Sequence, residues 1–436
     1  MSSDYRDFLL GDLGVLDRGK SRHRPRYAEH LYGGPYPFVQ TGDIKAANGR
    51  LRSFVQTYSE AGLAQSRLWP ANTLCITIAA NIAETALLTF PACFPDSVVG
   101  FAANEEVCDV RYIEYWFRAF RDDVRQRSYG TVQENINLEV LRGLKLSLPP
   151  VDTQRHVADA LGLLDDRIDL LRQTNATLES IAQALFKSWF IDFDPVRAKA
   201  EGREPEGMDA ATAALFPAEF EESAMGLIPK GWTVQPIGDL VEAVGGSTPD
   251  TKNDAFWEPA LHHWTSPKDL SGATASVLLD TERKVSDLGL AKISSGLLPV
   301  GTLLMSSRAP IGYLSLSQIP VAINQGYIAM PPGGRLPPEY MYFWCQLNMD
   351  AIKGRANGST FMEISKKAFR PIPAILPSPE VVKRFHEFAI TVFSRVAANE
   401  RQAQALAELR DTLLPRLISG KLRLSTARDA VEGAVA

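Results

Sequence analysis

Cysteine is scarce: Cys75, Cys93, Cys108 and Cys345 are the only four in 436 residues, and no two form a CxxC pair. That excludes a disulfide framework and a zinc ribbon, and predicts buried, reduced thiols in a cytoplasmic protein. Long apolar runs are missing too. None approaches the roughly 18 residues a membrane helix needs, and Met1 to Asp7 has no signal-peptide layout, so no membrane partner is expected. An excess of positive charge is also lacking. Lys and Arg number 46 against 51 Asp and Glu, a net charge of −5, so any nucleic-acid binding must come from local patches. The six histidines include no HExxH, and His262 and His263 are neighbours that point apart on a strand, which argues against a metal site. What is present is the balance of a globular protein, 45% hydrophobic and 22% charged, long enough for two or three domains.

The chain repeats itself. Residues 11 to 190 and 238 to 418 run in parallel at an offset of 227 to 229. Gly11-Asp12-Leu13 returns as Gly238-Asp239-Leu240, and Gly19 as Gly246. Pro70, Thr73 and Leu74 return as Pro299, Thr302 and Leu303. Tyr112 and Trp116 return as Tyr340 and Trp344, and Ile136 as Ile364. Most other positions differ, which predicts a shared fold with different surface chemistry. Strand-like runs occur at 73–79, 85–90 and 143–148, and again at 302–306, 326–330 and 372–376. An amphipathic helix runs from Val110 to Val124, with a counterpart carrying Met341, Trp344, Leu347 and Ile352.

Each half closes in a long helix with a seam stepping by four and three. The first runs Val157, Leu161, Leu164, Ile168, Leu171, Asn175, Leu178, Ala182, Leu185, Trp189. The second runs Phe385, Ala389, Val392, Val396, Asn399, Ala403, Leu406, Arg410, Leu413, Leu417. A period of 3.5 sustained this long predicts coiled-coil packing, with Asn175 and Asn399 setting register. The predicted fold class is α+β: two similar globular domains joined by two long antiparallel coiled-coil helices, a dumbbell with a pseudo-twofold repeat. The expected divisions are a first domain at 1–150, a first helix at 151–193 and an acidic connector at 194–230 with at most one short helix near 210–216. A second domain follows at 231–378, a second helix at 379–424 and a disordered tail at 425–436. A first half on its own, with an unpartnered seam, is expected to dimerise antiparallel.

Most enzymatic motifs fail on context. Gly14 to Ser21 fits GxxxxGK[ST], which would put Lys20 on a phosphate, but Arg22-His23-Arg24-Pro25-Arg26 is a poor helix start and the second half lacks the Lys. Pro249-Asp250 with Glu282-Arg283-Lys284 resembles a nuclease spacing, but the first half has no matching set. No methyltransferase motif occurs. What survives is basic and polar side chains at matching places. Lys20, Arg22, Arg24 and Arg26 form one group. Arg125 and Arg127 lead into Tyr129, Thr131, Gln133 and Asn135. In the second half Ser247 and Thr248 stand at the early turn, while Lys353 and Arg355 lead into Asn357 and Ser359, followed by Lys366 and Lys367. Cations that hold phosphate beside side chains that read base edges predict double-stranded DNA as ligand. A coiled-coil scaffold with protein-binding end domains is the rival reading, and a P-loop nucleotide-binding enzyme using Lys20 a lesser one.

The chain also resembles a known family over nearly its whole length, the specificity subunits of Type I restriction–modification systems. The resemblance is carried by Gly11-Asp12-Leu13 with Gly19-Lys20, by Gln40-Thr41-Gly42-Asp43-Ile44, and by Leu185-Phe186-Lys187-Ser188-Trp189-Phe190-Ile191-Asp192-Phe193. It continues in 222–232, which reads ESAMGLIPKGW, and in 409–420, which reads LRDTLLPRLISG. The resemblance implies two target-recognition domains, each reading half of a split DNA sequence. It implies helical regions that set the gap and dock two methyltransferase (modification) subunits, with motor-nuclease (restriction) subunits joining the larger complex. The chain itself would be non-catalytic and bind no cofactor; S-adenosylmethionine, ATP and Mg would sit on the partners. The aromatic cluster Phe186, Trp189, Phe190 and Phe193 is a candidate docking face for them, or else packs the first long helix against the second domain.

Overall fold

Runs buried at every position, Leu74–Thr77 and Leu303–Ser307, form the centre of a sheet in each half. The computed structural model describes residues 5–79, 81–126, 136–272, 275–358, 362–422 and 424–435. They fall into two units. The first comprises Met1–Ile168 and Ala405–Ala436, and the second Asp169–Gln404.

The first unit holds a five-stranded sheet in the order Gly14–Arg18, Val98–Ala103, Leu74–Thr77, Thr85–Leu88, Gly49–Leu51. Neighbours are antiparallel except the last pair, which is parallel. The second unit repeats the pattern. Leu303–Ser307 lies between Tyr327–Met330 and Ile311–Ser317, and Val277–Leu278 runs parallel to the latter. An isolated bridge from Val244 to Ala329 stands where the first unit has a whole strand. A two-stranded sheet accompanies each: Arg6–Leu9 with Lys145–Leu148, and Thr233–Pro236 with Pro373–Leu376.

The repeat extends to single hydrogen bonds. Gln40 and Asp43 form a capping box at Thr41–Ala46, and Ser266 and Asp269 form one at Pro267–Leu270. Thr73 and Thr302, both fully buried, donate to the carbonyls of Pro70 and Pro299 at 2.8 and 2.7 Å. Such buried hydroxyls survive because each has a local acceptor. The expected helix from Val110 to Val124 is two helices, Val110–Ala119 and Arg121–Gln126, separated at Phe120. Its counterpart likewise divides into Pro338–Leu347 and Met349–Lys353.

The long helices span Val151–Phe190 and Pro379–Ile418. All ten seam positions of the second are buried, as are those of the first except Leu178 and Leu185, which are half-buried. Within the second unit, Asn399 Nδ2 donates to Asn175 Oδ1 at 2.8 Å, while Phe385 packs on Phe186 with ring centres 5.4 Å apart. Numbers rise along one helix as they fall along the other, so the pair is antiparallel there. Within the first unit, Arg410 Nη1 meets Asp165 Oδ1 at 2.7 Å.

Two segments depart from expectation. Residues 194–230 contain two helices, Asp194–Ala200 and Ala210–Ala214, and a hairpin of Phe220–Ser223 with Gly226–Pro229. Val196, Phe216 and Ile228 are buried in the core of the second unit, so apolar residues spaced through a polar stretch outweighed its composition. The tail expected to be disordered forms a helix, Leu424–Val435, with Ala427 and Val431 buried. Those two lie four apart, one turn of a helix face.

Candidate nucleic-acid interface

In each unit one end of the main sheet gathers the early turn and a later loop. In the first unit, the N–H of Gly19 bonds to Val98 O at 2.9 Å and that of Lys20 to Phe94 O at 3.0 Å. A Cβ on Gly19 would collide with the carbonyls of Phe94 and Pro95, so the close approach requires glycine here. In the second unit, the N–H of Ser247 bonds to Ile323 O at 3.1 Å, and a Cβ on Gly246 would strike that carbonyl. The later loop returns at the same end. Ile136 N–H bonds to Ile78 O at 3.2 Å, and Ile364 N–H to Ser307 O at 3.0 Å. Asn357 and Glu363 close the second loop with two reciprocal backbone bonds of 2.9 Å.

Around the first turn, Lys20 is half-buried and Arg22, Arg24 and Arg26 are exposed. Arg24 Nη1 donates to Ser21 O at 2.7 Å, and Arg26 Nη2 to Asp96 Oδ1 at 3.0 Å. Around the second, Ser247 Oγ donates to Lys292 O at 3.1 Å and Thr248 Oγ1 to Gln325 Oε1 at 2.7 Å. Lys366 lies over Gly245, its Nζ 3.2 Å from where a Cβ would stand. Lys353, Arg355, Asn357 and Lys367 are exposed. Arg127, Tyr129, Thr131, Gln133, Asn135 and Ser359 lie outside the described residues. Asp96 and Gln325 escaped the sequence reading, because neither belongs to a basic run. Their position opposite the repeated turn was the available signal.

Two expectations need correction, and a third is refined. Arg125 is half-exposed and ion-paired. Its Nη2 donates to Glu84 Oε1 at 2.7 Å and its Nε to Ile82 O at 2.9 Å, because the short helix Arg121–Gln126 turns it toward this buried carboxylate. The aromatic cluster is no docking face. Phe186, Trp189, Phe190 and Phe193 are all under 8% exposed and pack with Tyr340, Phe385, Phe216 and Trp232 in the core of the second unit. Large rings at the end of an amphipathic helix are most stable out of water, and the connector supplies their cover. Finally, Gly14–Arg18 is a strand and no helix opens at Lys20, so the GxxxxGK[ST] match has no helix N-terminus to hold phosphate.

The seam asparagines meet, as given above, and Asn175 Nδ2 also reaches Val396 O at 3.4 Å. A second polar cluster lies inside the first unit. Asp165 takes hydrogen bonds from Arg410, Tyr115 and Arg118, and Arg118 Nε bonds Glu114 at 2.6 Å. Burial pushes the Asp165 carboxyl up, but Arg118 and Arg410 outweigh it and hold it below the ordinary aspartate value. Burial dominates at Glu114 and leaves its carboxyl raised despite Arg118. All four cysteines are free and buried. Among the described residues no group of His, Cys, Asp and Glu could hold a metal ion, and no helix is long and apolar enough to cross a membrane.

Comparison with known proteins accords with this geometry. The model of the Type I restriction modification DNA specificity domain matches twice, at residues 2–180 and 229–406. The HindI specificity subunit of Haemophilus influenzae is 30% identical over 328 residues, covering 66% of this chain and 71% of that one. The MjaIX specificity subunit of Methanocaldococcus jannaschii is 32% identical over 192 residues, 44% of each chain. The crystal structure of a Type I restriction-modification S subunit from M. genitalium superposes with a TM-score of 0.57 at 15% identity, over 96% of this chain and 97% of that one, which shows a shared fold. With the domain model matched in both halves and a relative aligned over most of its length, the chain belongs to the Type I restriction–modification DNA specificity family.

Proposed function

We propose that this chain recognises a split, asymmetric DNA site, each unit reading one half-sequence, and that it brings methyltransferase and motor-nuclease subunits to that site. As a member of its family it is a non-catalytic specificity subunit. One observation carries the reading of a split site. The same sheet end, built by the same backbone bonds, presents Lys20, Arg22, Arg24 and Arg26 in one unit and Ser247, Thr248, Lys353, Arg355, Asn357, Lys366 and Lys367 in the other. One scaffold with two surfaces suits two different half-sequences. Each good bidentate contact discriminates by about 1–3 kcal/mol, and linking two readers makes the second contact intramolecular.

In this reading the two long helices form a coiled coil that fixes the spacing between half-sites, with Asn175 and Asn399 setting its register. Two modification subunits dock on the chain and restriction subunits join them. S-adenosylmethionine, ATP and Mg are carried by those partners, and the complex works in the cytoplasm. The test is to map methylated adenines in cells that carry the chain with its modification subunit. A single bipartite motif with a fixed, non-specific spacer is expected. Methylation without a defined motif, or at a continuous one, would overturn the proposal.

A further inference from the structure

One place in the repeat carries a side chain that reaches the early turn in each unit. Ser97 O accepts the N–H of Ile78 at 3.0 Å, and Gly326 O accepts that of Ser307 at 2.8 Å. Phe94 O and Ile323 O accept from the equivalent turn residues Lys20 and Ser247. Asp96 and Gln325, each one residue before Ser97 and Gly326, are therefore equivalent positions. Each reaches a side chain from the early turn: Asp96 holds Arg26 at 3.0 Å and Gln325 holds Thr248 at 2.7 Å. Arg26, Thr248 and Gln325 are exposed at the sheet end and Asp96 is half-buried. The position of Asp96 and Gln325 is shared between the units, while the partner stands at a different place on the turn and the chemistry changes from an ion pair to an amide and a hydroxyl.

We propose that these pairs are specificity-determining, one in each half-site: Arg26, oriented by Asp96, reads a guanine, and Gln325, oriented by Thr248, reads an adenine. The inference rests on the proposed reading of DNA by both units. A guanidinium held by Asp96 through one hydrogen of Nη2 keeps the other, which together with Nη1 or Nε forms the fork that fits guanine O6 and N7. A glutamine whose Oε1 accepts from Thr248 keeps a lone pair on that oxygen and both hydrogens of Nε2, the set that pairs with adenine N6 and N7. A partner that fixes the rotamer lowers the entropy lost on contact. The Gln325 loop is itself held, since Asn324 Oδ1 accepts Gly326 N–H at 2.8 Å and Asn324 N–H bonds Thr265 O at 3.0 Å.

The experiment uses the full chain in complex with its modification subunit, selecting from a duplex library randomised across both half-sites, with genomic methylation mapped in parallel. Gln325→Ala is expected to relax one adenine position of one half-site about tenfold or more, and Arg26→Ala one guanine position of the other. Gln325→Glu, which retains size and accepts from cytosine N4, should move the preference at that position from adenine toward cytosine. Thermal unfolding of each variant confirms that it folds. Unchanged selectivity at every position in Gln325→Ala and Arg26→Ala would overturn the assignment. So would a uniform loss of affinity at unaltered selectivity, which marks phosphate contact. A wild-type complex that selects no bipartite site would instead strike at the proposed function, so the two failures are distinguishable.

Discussion

At the residue scale, the most consequential group is the buried cluster of Glu114, Tyr115, Arg118, Asp165 and Arg410. At an offset of 228 these positions become Tyr342, Phe343, Gln346, Phe393 and Ala182. In the second unit the rings of Tyr342 and Phe343 pack on Phe393 with centres 5.2 and 5.7 Å apart. One place in the repeat is thus ionic in one copy and aromatic in the other. Removing one member of a buried ion pair leaves a charge without its partner. Asp165→Ala is expected to destabilise the first unit by about 3 kcal/mol in urea unfolding. A cost within error of zero would show the arginines re-pairing with Glu114 and Asp411. The carboxyl of Asp165 is held below its unfolded value of about 3.9. Its contribution is therefore full above that value and is lost as pH falls through the lower folded value. Glu114, raised by burial, has the opposite sign: its contribution is present at low pH and fades as pH rises past its folded value. Asp165→Asn should flatten the fall in urea midpoint below pH 4 relative to wild type, and equal slopes would remove Asp165 as the cause.

At the element scale, the seam of the long helices was legible because a 3.5-residue period is a property of spacing alone. The partners of the seam were not legible, because period does not say which turn faces which. The bond between Asn175 and Asn399 supplies that register. Asn399→Leu removes the donor to Asn175 Oδ1 and leaves a buried amide short of a partner, at a cost of about 2 kcal/mol. The double variant Asn175→Leu with Asn399→Leu replaces both by apolar groups and is expected to regain most of that loss. A double-mutant cycle by chemical denaturation measures the coupling, and additive effects would mean the two amides act independently. The connector teaches a related lesson. Its composition is acidic and rich in Pro and Gly, yet Val196, Phe216 and Ile228 pack into a core that only folding assembles.

At the scale of the whole molecule, the register bears on two expectations. Lengthening the helices in step requires insertions at facing turns. One turn before Asn175 is Leu171, and one turn after Asn399 is Ala403, so the two insertions belong after Leu171 and after Ala403. Seven residues added at both places extend the pair by about 10 Å, roughly three base pairs. Methylation mapping should show both half-sequences retained and a longer spacer, and an active variant with the old spacer would contradict the role of the helices as a ruler. The second expectation concerns a first half on its own. If a second copy of the first helix replaces the second helix, Leu171 takes the place of Asn399 and Ala182 that of Arg410. Asn175 then faces Leu171, and Asp165 loses Arg410. Self-pairing of the half-chain is therefore weaker than the matched seams alone imply. Asn175→Leu is expected to tighten it by about tenfold or more, from a buried amide relieved in each of the two copies. Sedimentation equilibrium of both half-chains checks this, and equal association would show that the amide finds another partner.

The sequence by itself determined the repeat, the strands, the two long helices and the family. These follow from periodicity and from residues kept in order over some 180 positions, which are local or linear properties. The expected strands at 73–79, 85–90, 302–306 and 326–330 lie over the observed Leu74–Thr77, Thr85–Leu88, Leu303–Ser307 and Tyr327–Met330. Only the tertiary structure decided which polar groups are free to meet a ligand. Arg125 read as a ligand-facing cation and is tied to Glu84, while Phe186 and Trp189 read as a docking face and are core. Asp96 and Gln325 read as nothing and stand opposite the repeated turns. A side chain's availability depends on what distant segments place beside it, and a linear pattern does not encode those neighbours.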